Sequence, residues 1–521
     1  AMGGVINIIT KNALTAPKLS VDLMTTSWSE NNLDLSTKFN LGKNAASILS
    51  LNYFNFTKRF DENNDNFTDG ALQNRISVFN KYNFKREENR QASFALRYLY
   101  EDRFGGEMQW TKANRGGDDI YGESIYTNRV EAFGLYQWPL KEQIFTQFSY
   151  NFHDQNSYYG NSLFSATQKV AFVQSYWTKR LRNHDLLLGV TYKKTHYDDS
   201  TPGTLSADGL QNNPMNAPLA GIFVQDQWEV TDKHTLLLGY RLDYDKIHHA
   251  VHSPRFAWKF SPNAFHALRL NFGTGFRVVN LFTEDHAALT GSRDVVIRDN
   301  LLPERSYNGN INYLWKIPVR EQIFTVDASA FYTYFTNKIT GDFDSDPDKI
   351  IYDNLKGYGI SRGFSVNFDY SFSFPLNFLI GVSYLDVYQK FDDARGKVRQ
   401  LHAPKWSGTY SFTYRFQNNL TVDFNGQFYG PMRLPTVADD FRPEYSPFYS
   451  LANIQVSKSF SSGFEVYFGV KNLFNFTPEN PILRPFDPFD RNADDAVSNP
   501  NGYTFDTTYG YAPMQKIRGF L

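Results

Sequence analysis

Four oxygen-bearing side chains, Asp61, Asn63, Asp65 and Asp69, fall within the segment RFDENNDNFTD (59–69). Their D-x-N-x-D rhythm is that of loops whose carboxylate and amide oxygens converge on a hard cation such as calcium. The match to a calcium hand stops there. Its sixth position is Asn66 instead of glycine, and its twelfth is Leu72 instead of a bidentate glutamate. Two readings stand side by side, an oxygen-rich calcium site completed by another loop and a solvated acidic loop. A second group is aromatic: Trp110, Tyr121, Tyr126, Phe441 and Tyr445, set among long polar segments. Rings with polar tips suit a large, partly apolar ligand, and they suit an interfacial belt equally well. The trio His248, His249 and His252 lacks a carboxylate at a ligating spacing and reads as surface. Neither a G-x-S-x-G elbow nor an H-E-x-x-H pair occurs, so nothing points to an enzyme. The chemistry on offer is binding.

The elements that must carry these groups are announced by their turns. Ten short polar turns recur: LGKNA (41–45), EENRQ (87–91), LKEQ (140–143), RNH (182–184), TDK (231–233), SPNAF (261–265), VREQ (319–322), PLN (375–377), QNN (417–419) and SSG (461–463). Between them lie strands of alternating character, joined at their other ends by long loops. Val366, Phe368, Tyr370 and Phe372 share one face, and Ser365, Asn367, Asp369 and Ser371 the other. The same period of two runs through Leu186, Leu188, Val190 and Tyr192, through Leu236, Leu238 and Tyr240, and through Val466, Phe468 and Val470. A dry core would reject so polar a second face, whereas a water-filled lumen accepts it. Tight turns at one end and long loops at the other predict an all-β transmembrane antiparallel barrel, with short periplasmic turns and long extracellular loops. Two strands per turn give twenty, and one before (about 18–28) and one after (from Ala512) make twenty-two, the count associated with plugged outer-membrane transporters.

The totals agree. A formal charge of −1 argues against nucleic acid as a partner. The absence of cysteine removes disulfides and thiol chemistry. Mean hydropathy is −0.48 and no apolar run approaches a helical span. The chain opens at Ala1 without an initiator methionine or a signal peptide, and its last strand looks short; both read as truncation of a longer exported protein.

At AMGGVINIITKNA (1–13) the chain resembles TonB-dependent outer-membrane receptors, where this phrase closes the plug domain just before the barrel. FVQDQWEV (223–230), SPRFAWKFSPN (253–263), GTGFR (273–277), LLPERSYN (301–308) and GVKNLFN (469–475) match the family in order. The resemblance implies a remnant of the plug at 1–14 and a barrel at 15–521. It also implies a receptor that binds a large scarce nutrient in its outer loops and imports it on energy from TonB–ExbB–ExbD, delivered through the absent part of the plug. Loops 276–297 and 105–129 resemble Bacteroidetes receptors of cobalamin or ferric-siderophore type, leaning to a corrinoid. Family members of cobalamin type order early outer loops with calcium, which favours the cation reading at Asp61–Asp69. His286, between Phe276–Val279 and Asp299–Leu301, lies between phrases that resemble the boxes around a haem receptor's histidine, but both boxes are degenerate, and a loop hydrogen-bonder stands as the other reading. The resemblance further implies outer-membrane lipid around the barrel, a surface lipoprotein lid as a partner, and 477–511 as a docking surface or a mobile loop. A passive porin, the distant alternative, would have fewer strands.

Overall fold

The computed structural model describes residues 7–206, 210–246, 249–277, 294–297, 301–342 and 349–521. His248 and His286 lie outside the described residues. All ten tight turns join antiparallel strands. The first five hairpins are Asn31–Asn40 with Ala45–Phe56, Leu72–Phe84 with Ala92–Gly106, Gly122–Gln137 with Gln143–Tyr159, Ser162–Leu181 with His184–Asp199, and Met215–Thr231 with His234–Asp245. The next five are His249–Asn263 with His266–Arg277, Glu304–Val319 with Gln322–Asn337, Gly357–Ser371 with Leu376–Phe391, Trp406–Phe416 with Leu420–Tyr429, and Tyr449–Ser459 with Glu465–Lys471. Leu19–Thr25 and Arg518–Phe520 complete the ring. It closes where Thr25 and Leu521 exchange backbone hydrogen bonds of 2.8 and 2.9 Å. The result is a barrel of twenty-two strands, with the three-residue strand Lys397–Arg399 added beside Tyr388–Lys390. Away from the seam at Thr25 and Leu521 each strand pairs on both sides, so the wall satisfies its backbone groups internally and offers lipid little open edge. No described helix is long and apolar enough to cross a membrane.

The final strand is shorter than the run from Ala512 suggested. Pro513 has no N–H to give a ladder, and the Ile517 N–H donates instead to Asn475 Oδ1 at 2.9 Å. Only Arg518–Phe520 pair, opposite Gly469–Lys471.

Alternation is realised as two faces. Val78, Tyr98 and Val130 are in register across three strands and all exposed on the outer wall, as a lipid-facing band requires. One residue along, Arg97, Glu131 and Asn151 are in register on the inner wall. Turn chemistry follows the sequence: Gly463 takes φ +81° in SSG, and Asn418 and Asn419 take left-handed values in QNN. Strands between Ala92 and Asp199 run 15–20 residues and those between Trp406 and Lys471 only 7–11.

Packed apolar clusters lie mainly at the loop end, since the lumen is wet. Trp28, Phe56, Leu72, Phe104 and Trp110 form one; Met432, Leu434, Tyr449 and Tyr509 another. At the opposite end, the segment leading into the first strand lies along the inner wall. Lys81 Nζ donates to Thr10 O (3.3 Å), Thr10 Oγ1 (2.7 Å) and Lys11 O (3.2 Å). Asn83 Oδ1 accepts from the Ala13 N–H at 2.9 Å, Lys38 Nζ donates to Leu14 O at 2.7 Å, and Ala13 is fully buried against Ala46 and Ile48.

Candidate functional site

The acidic loop folds on itself. Asp61 accepts from the N–H groups of Asp65 (3.1 Å) and Asn66 (3.0 Å), Asp65 from Phe67 N–H (2.8 Å) and Asn63 Nδ2 (2.8 Å), and Asp69 from Glu62 N–H (2.7 Å). The structure thus gathers all four expected residues into one turn, wired through its own backbone. Asn64 and Asn66 supply the left-handed positions, which asparagine tolerates well. Burial, together with the neighbouring charges of Asp61, Asp65 and Glu62, pushes the Asp69 carboxyl up to about 6, and burial raises Asp65 as well. Among the described residues, no group of three or more His, Cys, Asp or Glu side chains is arranged to hold a metal.

The aromatic group divides. Trp110, 5 % exposed, stacks on Phe104 with centroids 4.3 Å apart. Tyr121, 3 % exposed, packs against Phe67, Phe505 and Phe489. Its N–H donates to Glu107 Oε2 at 2.5 Å, and burial beside Glu123 holds its phenol well above the usual tyrosine range. Tyr126 lies under the Arg115 guanidinium at 4.6 Å. Phe441 and Tyr445 present exposed rings. Their loop is fixed from beneath by Arg442, which pairs with Asp440 at 2.9 Å, both side chains almost wholly buried, and covers the Tyr509 ring at 4.2 Å.

The long segment after the strand Glu465–Lys471 is packed as a strap over the rim. Phe505 stacks on Phe67 (5.7 Å), Phe489 meets Tyr121 edge-on (5.6 Å), and Lys516 pairs with Glu62 (3.4 Å). On its other side Tyr509 OH donates to Pro443 O (2.8 Å), and the Thr508 carbonyl lies 3.0 Å from His402 Nε2. Loops far apart in sequence are thereby joined into one piece of the mouth.

Below the mouth, the inner wall is a polar lattice. Glu131 accepts from Arg97 (3.3 Å) and Asn151 (3.1 Å) and forms an ion pair with Arg129 (2.8 Å). Asn271 donates to Asn310 (2.7 Å), and Asn312 to Asp327 (2.5 Å) and Ser329 (2.9 Å). One stretch is hollow: a recess of about 200 Å³ lined by Asn367, Gly381, Ser383, Ser407, Thr409 and Gln427. No side-chain hydrogen bond joins Asn367, Ser383, Ser407 or Thr409 to another described residue. Hydroxyls and amides so arranged can hold a neutral, hydrogen-bonding part of a ligand in passage. The sequence reading put Asn367 on the polar face but did not single out this recess. Its signal was small residues at a period of two, in GVS (381–383) and SGT (407–409).

A family model described as TonB dependent receptor-like, beta-barrel, matches residues 27–473. No curated protein matches. Solved structures share the fold at low identity. The siderophore receptor PirA from Pseudomonas aeruginosa is 13 % identical, with a TM-score of 0.64 over 87 % of this chain and 76 % of that one. PirA from Acinetobacter baumannii is 14 % identical, with a TM-score of 0.70 over 96 % and 79 %. The FrpB iron transporter from Neisseria meningitidis is 14 % identical, with a TM-score of 0.70 over 97 % and 81 %.

Proposed function

This chain belongs to the TonB-dependent receptor-like β-barrel family, and from that premise we propose that it imports a ferric siderophore. It is a protein of the bacterial outer membrane, in a family of transport receptors. The observation that carries the reading is a closed twenty-two-strand ring whose hydrogen-bonding lumen lies under a packed rim of loops. A barrel of that size holds more than a small solute, and solved structures of this fold include siderophore receptors and an iron transporter. The exposed rings of Phe441 and Tyr445 offer first contact at the mouth, and the recess at Ser383 and Ser407 lies further in. On this reading the protein performs no chemistry on its cargo, and energy comes from TonB with ExbB and ExbD. A surface lipoprotein lid would dock on the strap and its neighbouring loops.

A corrinoid is the second reading. It draws on the spacing of Asp61, Asn63, Asp65 and Asp69, which a calcium ion would bind if the loop re-aimed its oxygens from backbone N–H groups to the metal. Isothermal titration of the full-length receptor distinguishes them. Nanomolar heat with ferric enterobactin, unaffected by EDTA, supports the siderophore reading. Nanomolar heat with cyanocobalamin that EDTA weakens replaces it with the corrinoid and calcium reading. Heat with haemin alone, or with none of the three, overturns both.

A further inference from the structure

On one stretch of the outer wall, four basic side chains lie beyond a trio of aromatic rings. Strand register fixes which residues share that wall. Phe364 lies opposite Tyr384, and Tyr384 opposite Trp406. The three rings contact one another at 5.0–5.7 Å, and Phe364 and Trp406 are exposed. The recess residues Asn367 and Ser383 point to the opposite, inner side, because neighbouring residues of a strand face opposite ways. Two residues from Phe364, away from the tight turn at 375–377, comes Arg362, in register with Asp386. Continuing outward on this face are Tyr388 and Lys390, which lie opposite Arg399 and Lys397. Four cations therefore share the outer surface with one carboxylate.

That carboxylate organises them. Asp386, its side chain only 8 % exposed, accepts from Arg362 Nε (3.1 Å) and Nη2 (3.0 Å) and lies 3.9 Å from Lys397 Nζ. Lys397 also sits 3.7 Å over the Tyr388 ring. Lys390 and Arg399 have no ion pair among the described residues. The nearby acids Asp393 and Asp342 are held by Arg395 at 2.6 and 2.8 Å. A patch facing cargo would lie on the inner wall; this one lies on the outer wall, on the loop side of the exposed rings of Phe364 and Trp406.

We propose that Arg362, Lys390, Lys397 and Arg399 form a binding site for the phosphorylated headgroup of an outer-leaflet lipid. Guanidinium groups match phosphate oxygens with paired N–H donors. Long basic stems lie along apolar surface while their heads reach the polar zone. The aromatic trio seats the adjoining acyl chains, and Asp386 acts as a positioning residue that holds two of the four cations in place. The site needs no cargo and stands whether or not the siderophore reading holds.

The test uses native mass spectrometry of the purified full-length receptor in detergent, with diphosphorylated lipid A, its dephosphorylated form and inorganic phosphate as probes. Wild-type protein retains lipid A and fails to retain the dephosphorylated lipid. Replacing all four cations by glutamine lowers retention at least tenfold. Lys179→Gln, a cation near the tight turn at 182–184, leaves it unchanged and serves as the folded control. Asp386→Asn lowers retention less than the quadruple variant does. Equal retention of both lipids, or undiminished retention in a correctly folded quadruple variant, overturns the proposal. Binding of inorganic phosphate that displaces the lipid at millimolar concentration would reassign the site to free phosphate and overturns it as a lipid site. Should the quadruple variant fail to fold, the pair Lys390→Gln and Arg399→Gln, which touches no ion pair, decides on the same criterion.

Discussion

Replacing Asp69 by asparagine should tighten the loop it belongs to. The substitution keeps an oxygen that can accept from the Glu62 N–H, now 2.7 Å away, and removes a charge buried beside three other acids. The Asp69 carboxyl is raised from 3.8 to about 6 in the folded loop. A folded-state value above the open-state value means that the closed loop holds the proton more tightly. The charge therefore costs stability above about pH 6, and the cost vanishes as pH falls toward 3.8. Two units correspond to a ceiling of about 3 kcal/mol. The surrounding acids are partly solvated, so we take about 1–2 kcal/mol after screening. The assay is hydrogen exchange at the amides of Glu62, Asp65, Asn66 and Phe67, which donate to carboxylates in this loop, corrected for intrinsic rates. At pH 7.5 and without calcium, D69N should slow their exchange about tenfold. Wild-type protection should rise between pH 6 and 4, and the variant should lose most of that rise. Faster exchange in D69N, or a wild-type profile flat across that window, refutes the argument that burial of this charge is a net cost. Calcium that protects the wild type but not the variant would instead assign these oxygens to a cation.

Other outcomes follow from single contacts. Trp110→Ala opens a cavity against Phe104 and should cost about 3–5 kcal/mol locally, read as rapid proteolysis of segment 107–121 with the barrel intact. Gly408→Ala would put a Cβ 2.4 Å from Gly381 O and from the Phe428 ring; the strain of about 1–3 kcal/mol should lower the yield of heat-resistant, fast-migrating barrel, and normal yield would count against the packing. Lys81→Met removes three contacts to Thr10 and Lys11. A cysteine at the buried position 13 should then react with a maleimide about tenfold faster, a change of about 1.4 kcal/mol; an unchanged rate would mean that Lys81 does not hold the segment.

The barrel was legible because its code is local. A period of two needs only neighbouring residues to be visible, and LKEQ or QNN announces a reversal whatever lies elsewhere. All ten turns therefore fell where expected, and so did the polar inner and apolar outer faces. The rim was not legible for the opposite reason. Trp110 and Tyr121 read identically in sequence whether a ring meets a ligand or the protein, and what decides is Phe104, Phe505 and Phe489, the last two more than 300 residues away along the chain. The segment 477–511 looked like a docking surface or a mobile loop because its Asn, Asp and Pro content gives no period; it is held by Phe67, Tyr121 and Pro443 of distant loops. The acidic loop was found as a cluster, but the direction of its oxygens is set by backbone turns that spacing alone does not encode. The cations Lys397 and Arg399 stood in plain view, and only register with Lys390 and Tyr388 tells which wall they face.

The strap has a consequence for how substitutions at the mouth combine. It touches Phe67, Tyr121 and Glu62 on one side and Pro443 and His402 on the other, so these positions share partners although their loops are separate in sequence. Effects at positions with shared partners do not add. A change at Tyr121 and another at Tyr509 should each loosen the same strap, and the second should then cost less than it does alone. A scan of this rim one residue at a time would overcount, crediting several side chains with the same free energy, and pairwise cycles are the fitting unit for mapping it.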